Sequence, residues 1–171
     1  ATIYRHAEDR PMDEFTGEIG SDFSMDVCKA WEKSFYDLTL PATRKVILRM
    51  SITMGINGGV YLRFKNLVRF GLGGKMGNGK QMMSWIHVED IARAISFIIE
   101  KENINGIINV TSPNPVSNAT FMSAVRKAMF MPFGLPTPRW FLAFGAFVIG
   151  TETELILKSR WVIPQKLLNA G

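Results

Sequence analysis

The apolar and polar positions of residues 81–99 change from the period of a strand to that of a helix. Met82–Val88 is largely apolar and β-favouring. Glu89 and Asp90 fall in the first turn of the predicted helix, where carboxylates complement the positive end of the helix dipole. Helix-end electrostatics is the simplest interpretation of these two acids. The residues that repeat at the three- and four-residue spacing of a buried helix face are Ile91, Ala94, Ile95, Ile98 and Ile99.

Similar patterns predict short strands and helices along the rest of the chain. An acidic loop at 5–20 follows the end of a strand at 1–4. Asn78-Gly79 lies between two strand-compatible segments and predicts a hairpin. Strands that alternate with helices indicate a parallel α/β sheet. The other predicted elements are strands at 45–48 and 107–110, and helices at 22–36, 60–70, 117–130, 140–149, 152–157 and 165–168, with N-caps at Ser21 or Asp22 and at Ser117.

Cysteine content and hydropathy narrow the function classes. The single cysteine, Cys28, rules out an internal disulfide, and with only 2 histidines it argues against a structural zinc site. The longest apolar run, Trp140–Ile149, is shorter than the ~18 residues that span a bilayer. The chain opens at Ala1 directly on a strand-like segment rather than on a signal peptide. We therefore expect a cytoplasmic protein without metal and without membrane contact.

The net charge of +5 is distributed unevenly. Residues 1–40 carry 4 basic and 9 acidic groups, residues 41–80 carry 8 basic and no acidic groups, and the remainder carries 8 and 6. The middle block could attract a phosphate-bearing ligand or nucleic acid, or it could form the solvated face of a helix. We expect no nucleic-acid partner, because no pattern of stacking aromatic residues accompanies the charge.

Glycine motifs that bind phosphate are at most partly present in the sequence. Gly74, Gly79 and Lys80 match part of a phosphate-binding loop, but Gln81 follows where Ser or Thr would bind magnesium, and the next segment favours a strand where a helix is needed. The Gly-x-Gly-x-x-Gly turn with which α/β enzymes bind a dinucleotide is absent from the sequence. We therefore predict neither an NTPase nor a complete dinucleotide site in this chain alone.

Several segments, taken jointly, carry a family resemblance over most of the chain. They are Asp-Val-Cys-Lys-Ala-Trp-Glu at 26–32, Leu-Arg-Met-Ser-Ile-Thr-Met-Gly at 48–55, Gly-Leu-Gly-Gly at 71–74, Gln-Met-Met-Ser-Trp-Ile-His-Val-Glu-Asp at 81–90 and Asn-Val-Thr-Ser-Pro-Asn-Pro-Val at 109–116. The pattern resembles the extended short-chain dehydrogenase/reductases, and in particular an NAD-dependent epimerase/dehydratase-like subfamily with a C-terminal domain of unknown function. Residues 1–4 resemble the segment just after the catalytic Ser or Thr of that family.

The resemblance implies an α/β fold. This chain would be the C-terminal half of an NAD(P)-binding, Rossmann-like doubly wound fold, together with a small and mostly helical substrate-side region. Residues 1–116 would belong to the Rossmann-like domain, and residues 117–171 to the helical C-terminal domain. The cofactor would be NAD or NADP, bound with an upstream half outside this chain. A small-molecule substrate and a homodimer are the expected partners.

The catalytic pair of the family is substituted in this sequence. In the family, a Tyr-x-x-x-Lys pair transfers a proton, because the ammonium lowers the phenol pKa. Counting back from Glu32 places Ser24 at the Tyr position and Cys28 at the Lys position, and neither residue can do that task. Tyr4 is the nearby phenol that could substitute. Simple packing is the alternative interpretation of both Tyr4 and Cys28.

The resemblance also implies binding residues. Arg49 and Ser51 are the expected cofactor contacts. The Arg-Asp that commonly precedes the hydrophobic-His-Val segment is Met83-Ser84 here, and the Asn after the Leu-Arg strand is Ile52. These replacements favour a smaller or more apolar ligand than a sugar nucleotide. The expected substrate contacts are Thr2, Gln81, Met83 and Trp85.

Two functional hypotheses follow. The first is the substrate-side half of an NAD(P)-dependent nucleoside-diphosphate-sugar epimerase/dehydratase-like oxidoreductase or isomerase. The second is a non-catalytic dinucleotide-sensing or partner-binding protein on the same fold, which the substitutions at Ser24 and Cys28 suggest. Both hypotheses require an open strand edge near the front of the chain, and a closed, self-sufficient core would exclude them.

Overall fold

The structure of the protein is a computed structural model that describes residues 2–56, 58–138 and 158–171. Within these ranges the strands are β1 Val46–Met50, β2 Ile52–Gly55, β3 Gly58–Gly59, β4 Met82–Met83, β5 Trp85–His87, β6 Gly106–Val110 and β7 Val116–Ser117. The helices are α1 Phe23–Tyr36, α2 Val60–Arg69, α3 Val88–Glu100, α4 Asn118–Ala128 and α5 Gln165–Ala170. The helices predicted at 140–149 and 152–157 lie outside the described residues.

Two compact units alternate along the sequence. Unit 1 comprises residues 1–53, 84–115 and 160–171, and unit 2 comprises residues 54–83 and 116–159. The predicted domain boundary after residue 116 stays a prediction. The compact units do not follow it, because each unit takes segments from both sides of that position.

Unit 1 is built on a parallel pair of strands, as the alternation of strands and helices predicted. β1 and β6 run in register from Val46 opposite Gly106 to Met50 opposite Val110. Ile108 and Val110 are fully buried, and they form one apolar cluster with Ile86, Ile98 and Ile104. This cluster removes apolar surface from water, and a second buried cluster of the unit contains Ile3, Tyr4, Ala7, Met12 and Val162.

Helix α3 confirms the interpretation of its first turn. The side chain of the N-cap residue His87 accepts a hydrogen bond from the Glu89 N–H at 3.3 Å. Glu89 and Asp90 lie in that turn, and both pair with Arg93 on the surface. The predicted apolar stripe is narrower than expected. Ile98 is buried and Ile91 and Ala94 pack on the core, whereas Ile95 and Ile99 are exposed.

Within unit 1, the segment around Met12 forms backbone hydrogen bonds with residues 161–163. The Met12 N–H donates to the Trp161 carbonyl at 2.7 Å, and the Ile163 N–H donates to the Met12 carbonyl at 3.0 Å. Ser84 joins the same segment, because its hydroxyl oxygen accepts the Val162 N–H at 2.7 Å. The hydroxyl also lies 2.7 Å from the Arg160 carbonyl. Helix α5 then begins after Pro164, as predicted.

Unit 2 contains helices α2 and α4. The rings of Phe64 and Phe121 on these helices pack edge to face, with their centroids 4.9 Å apart. Ser117 caps α4 as predicted, because its hydroxyl accepts the Thr120 N–H at 3.2 Å. The predicted hairpin at Asn78-Gly79 is wrong. A turn is present there, but Met76 on one side of it bridges to Thr137 and β4 on the other side pairs with β7.

Candidate functional site

The candidate site is a groove beside β1. Within the described residues, β1 pairs with β6 and with no second strand. Four consecutive β1 residues line the groove, as expected at a strand edge, where side chains of both faces and the backbone are within reach. Its volume is about 390 Å³. The lining residues are Thr2, Ile3, Cys28, Trp31, Glu32, Phe35, Ile47, Leu48, Arg49 and Met50.

Large apolar side chains in this groove are exposed. Trp31 on α1 is 72% exposed and Met50 at the end of β1 is 50% exposed. Proteins usually cover an apolar strand edge, because unpaired backbone groups beside apolar side chains promote association. The groove therefore has the character of a surface that another chain segment covers.

The groove brings together three of the predicted site residues. Thr2, Cys28 and Arg49 all line it, although they come from the N-terminal segment, from α1 and from β1. Cys28 also packs against the buried cluster that includes Ile3 and Tyr4, so the packing interpretation of the thiol is supported. Ser24 lies one helical turn before Cys28, is half-buried, and is not among the lining residues of the groove.

Arg49 is held in place by Glu32. The Arg49 Nε and Nη2 donate to the two Glu32 carboxylate oxygens at 2.7 and 2.8 Å. The two side chains are only 9% and 17% exposed. A bidentate pair with little solvent contact is among the stronger charge-assisted interactions in a protein. It joins α1 to β1 and neutralises the guanidinium charge at the wall of the groove.

Tyr4 continues this network into the interior. The third contact of Arg49 is a bond from Nη1 to the Tyr4 hydroxyl at 2.8 Å, and that hydroxyl donates to the Asn109 Oδ1 at 3.0 Å. Tyr4 is only 2% exposed. Burial raises the pKa of its phenol, while the nearby Arg49 charge opposes the shift. The geometry supports a packing role for Tyr4, because its hydroxyl is engaged on both sides.

Asn109 and Glu14 complete the network, and the sequence patterns did not single out either residue. The Asn109 Nδ2 donates to the Ile163 carbonyl at 3.1 Å. Glu14 accepts the Asn109 N–H at 2.8 Å and the Lys166 N–H at 3.3 Å. The only signal in the sequence was a polar residue inside the apolar strand that the pattern predicted at 107–110. A buried Asn in such a strand needs partners, and here it finds them in two distant segments.

Two predicted binding residues carry buried polar atoms that have no hydrogen-bond partner among the described residues. They are the Ser51 Oγ and the Gln81 Oε1. Ser51 is 8% exposed in unit 1, and Gln81 is 2% exposed in unit 2. Leaving such an atom unsatisfied costs about 1–3 kcal/mol, so each one needs an explanation. A ligand group is one possible partner for each atom, and the predicted roles of Ser51 with the cofactor and of Gln81 with the substrate stay predictions.

The other predicted substrate contacts have different surroundings. Met83 is 6% exposed, and its sulfur accepts a bond from the Asn118 Nδ2 at 3.5 Å, so it lies in the interior of unit 2. Trp85 is half-buried in unit 1, where its carbonyl accepts the Ser112 N–H at 2.7 Å. Thr2 lines the groove. These contacts stay predictions, and they are divided between the two units.

The basic block at 41–80 has more than one role. In unit 1, Arg44 donates to the Ile98 and Ile104 carbonyls, both at 2.7 Å, and Lys45 donates to the Leu38 carbonyl at 2.6 Å. These cations bind carbonyl groups near the ends of α3 and α1, where helices favour positive charge. In unit 2, the block forms the exposed side of α2 opposite the buried Phe64 and Val68.

The described residues provide neither a membrane-spanning helix nor a metal site. No helix among them is long and apolar enough to cross a bilayer. Likewise, no group of three His, Cys, Asp or Glu within the described ranges is placed to hold a metal ion.

The parallel strands and covering helices define the class of protein, a Rossmann-type α/β fold. The family model for the NAD dependent epimerase/dehydratase family matches residues 46–111. An epimerase family protein of Mycobacterium bovis is 35% identical over 98% of this chain, and the epimerase family protein YfhF of Bacillus subtilis is 31% identical over 99%. These similarities support an assignment to the epimerase-like group of the extended short-chain dehydrogenase/reductases. The chain spans 55% and 54% of those two relatives.

Solved structures agree with this assignment. The human epimerase family protein SDR39U1 (isoform 2), crystallised with NADPH, is 28% identical with a TM-score of 0.87, over 99% of this chain and 56% of the human one. A nucleoside-diphosphate sugar epimerase of Corynebacterium glutamicum is also 28% identical, with a TM-score of 0.72, over 99% of this chain and 31% of its own. The chain therefore corresponds to about half of the human structure.

Proposed function

We propose that this chain is the substrate-side half of an NAD(P)-dependent epimerase/dehydratase-like oxidoreductase. The observation that carries the proposal is the edge of β1 that pairs with no strand among the described residues. The groove on that edge brings together Thr2, Cys28 and Arg49, to which the family resemblance gives substrate, catalytic and cofactor positions respectively. A further parallel strand from that half would cover the exposed Trp31 and Met50 and satisfy the strand edge.

The residues present are compatible with a dinucleotide beside the groove. Ser51 offers a buried hydroxyl that lacks a partner among the described residues, and such a hydroxyl can donate to or accept from a ligand oxygen. Arg49 contributes less charge than its type suggests, because Glu32 neutralises it. It positions Tyr4 and α1 instead. When bound, the nicotinamide supplies hydride transfer, and this chain supplies the wall against which substrate and cofactor are oriented.

The substrate is a small molecule that is less polar than a sugar nucleotide. Met83 and Ser84 occupy the positions where the family commonly has a charged Arg-Asp pair. The Ser84 hydroxyl forms hydrogen bonds with the Arg160 carbonyl and the Val162 N–H. Removing a charged contact weakens recognition of a phosphate and leaves shape and apolar contact as the main determinants. A homodimer stays a prediction.

A non-catalytic, dinucleotide-sensing protein is the second candidate. Its support is specific: Ser24 and Cys28 replace the Tyr-x-x-x-Lys pair, and the hydroxyl of Tyr4 is engaged by Arg49 and Asn109. A general acid or base must be free to exchange a proton with the substrate. If no other group performs that exchange, the protein binds a dinucleotide without turning over.

The decisive experiment uses the full-length protein. NADH and NADPH binding is measured by fluorescence, and turnover is followed at the nicotinamide absorbance with a panel of carbonyl and sugar substrates. Binding with turnover supports the enzyme, whereas binding without turnover supports the sensor. Failure of both nicotinamide cofactors to bind would refute both candidates.

A pair of variants tests the substituted positions. If the protein binds cofactor without turnover because it lacks the Tyr-x-x-x-Lys pair, S24Y combined with C28K should introduce turnover. In an active protein, C28A should leave turnover unchanged, because the thiol packs against an apolar cluster. Loss of turnover in a folded C28A variant would instead assign the thiol a catalytic role.

A further inference from the structure

Unit 2 has a charge balance unlike that of unit 1. Its sequence has 9 basic and 2 acidic residues, and both acids, Glu152 and Glu154, lie outside the described residues. In the described part of the unit every Asp, Glu, Lys or Arg is therefore a cation. These cations are Arg63, Lys65, Arg69, Lys75, Lys80, Arg126, Lys127 and Lys158. Charges of one sign add to a field that draws anions to the unit.

An apolar patch lies in the same unit where α2 and α4 end. Arg69 is the last residue of α2, and Lys127 lies in the last turn of α4. Both are exposed, and they come one residue before Phe70 and three residues before Phe130. The members of the apolar patch are Phe70, Phe130, Phe133 and Leu135, which are 77, 93, 65 and 61% exposed.

Backbone hydrogen bonds fix the patch. The Leu135 N–H donates to the Gly71 carbonyl at 2.8 Å, and the Gly74 N–H donates back to the Leu135 carbonyl at 3.0 Å. Gly134 permits this approach, since a Cβ there would lie 2.6 Å from the Gly73 backbone. Phe130 holds φ at 56°, a conformation that non-glycine residues rarely adopt. The apolar side chains therefore project from an anchored backbone.

We propose that the apolar patch and its flanking cations dock this protein on a bilayer that contains anionic lipid. Lys and Arg are attracted to anionic headgroups, while exposed aromatic and aliphatic side chains enter the interface below them. The proposal departs from the expectation of no membrane contact, which rested on the absence of a membrane-spanning run, because a protein that lies on a membrane needs no such run. The proposal is independent of the redox activity.

Other occupants fit the apolar patch less well. A second copy would place Arg69 and Lys127 against the same cations, which repel. Sequence-specific nucleic-acid binding requires hydrogen bonding to bases, and residues 127–136 contain no Asn, Gln, Ser, Thr or Tyr. Single strands that stack on the exposed Phe rings are the alternative occupant, which the test distinguishes. The groove beside β1 cannot account for the patch either, because none of its four members lines that groove.

The test is co-sedimentation of the full-length protein with vesicles. Vesicles of phosphatidylcholine alone are compared with vesicles of equal parts phosphatidylcholine and phosphatidylglycerol. The protein should sediment with the anionic vesicles and be released by high salt. R69Q and K127Q should each weaken binding about fivefold. F130S combined with F133S should weaken it roughly tenfold or more, because two aromatic anchors are removed.

Matched variants in unit 1 provide the controls. Ile99 is 65% exposed on α3, and Arg93 is 73% exposed on the same helix, so I99S and R93Q repeat the two kinds of change outside the patch. Both should bind anionic vesicles like the wild type. Equal sedimentation with neutral vesicles, equal losses in the controls, or tight binding to a single-stranded oligonucleotide without binding to vesicles would overturn the proposal. Circular dichroism of each variant checks that it remains folded.

Discussion

Units 1 and 2 use charge in different ways. Unit 1 has 11 basic and 13 acidic residues, and these include the buried Glu32–Arg49 pair and the surface pairs of Arg5 with Asp9 and Glu18. Unit 2 has 9 basic and 2 acidic residues, and its described elements meet through apolar contacts such as the Phe64–Phe121 ring pair and through hydrogen bonds such as that from Arg126 to the Gly73 carbonyl.

The difference shows where charge stabilises the fold. In unit 1, single carboxylates join segments that are far apart in sequence, as Glu14 joins β6 to α5. Removing one partner there leaves a buried charge or hydrogen-bonding group unpaired, which is costly. The described part of unit 2 has no carboxylate side chain to pair with its exposed cations, and the half-buried Arg126 donates instead to the Gly73 carbonyl. The exposed cations are therefore available for contacts outside the chain.

The largest expected effect is the loss of Glu32. Replacing it by Ala leaves the guanidinium of Arg49, which is 9% exposed, without its carboxylate, and we expect about 3 kcal/mol less stability. Urea unfolding of the full-length protein measures the change. The matched deletion in unit 2, Lys127→Ala, should change stability by less than about 0.5 kcal/mol. Comparable losses in the two variants would contradict the distinction between the units.

A smaller effect is expected from removing one hydroxyl of the same network. Tyr4→Phe keeps the ring but leaves Arg49 Nη1 and Asn109 Oδ1 without the phenol oxygen. The expected loss is about 1 kcal/mol. Tyr36→Phe is the control, because that ring is 43% exposed, and it should be nearly neutral. Full turnover in the Tyr4→Phe variant would support packing, whereas its loss in a folded protein would support proton transfer.

Local sequence patterns predicted most helices and the parallel sheet, because these depend on periodicity and capping. The spacing of apolar residues located α3, and the residue type at Ser117 located the start of α4. Pairing over long distances was harder to predict. The hairpin expected at Asn78-Gly79 failed because β4 found a partner more than thirty residues away, in β7. A turn signal describes the turn and does not determine which strands pair beyond it.

The family resemblance named candidate site residues but not the contacts that those residues make. It named Thr2, Cys28 and Arg49 as candidate site residues with separate roles, and the structure places all three along one groove, while their roles stay predictions. It did not reveal that Glu32 would neutralise Arg49 or that Asn109 would engage Tyr4, because those contacts are set by tertiary packing. The sequence also did not reveal that the Ser51 hydroxyl and the Gln81 amide oxygen are buried without a hydrogen-bond partner among the described residues.

The mildest expected effect is a response of the N-terminal loop to acid. Hydrogen bonds from Arg5 and Arg10 hold the pKa of Glu18 at about 2, below its ordinary value of 4.5. Because the folded pKa lies below the unfolded one, ionised Glu18 stabilises the folded loop above pH 4.5, and that contribution disappears as the pH falls from 4.5 towards 2. Asp9 behaves in the same way, since Arg5 lowers its pKa to about 2.

Amide chemical shifts of the full-length protein, followed by NMR through this pH range, test the difference between the units. The amides near Arg5 and Glu18 should move together, and Glu18→Gln should abolish the part of the response that Glu18 carries. The described part of unit 2 has no carboxylate side chains, so its amides should hold their positions while the loop titrates. A shift of the unit 2 amides with the same midpoint would mean that the acid response is global, and the loop charges would then have no separate stabilising role.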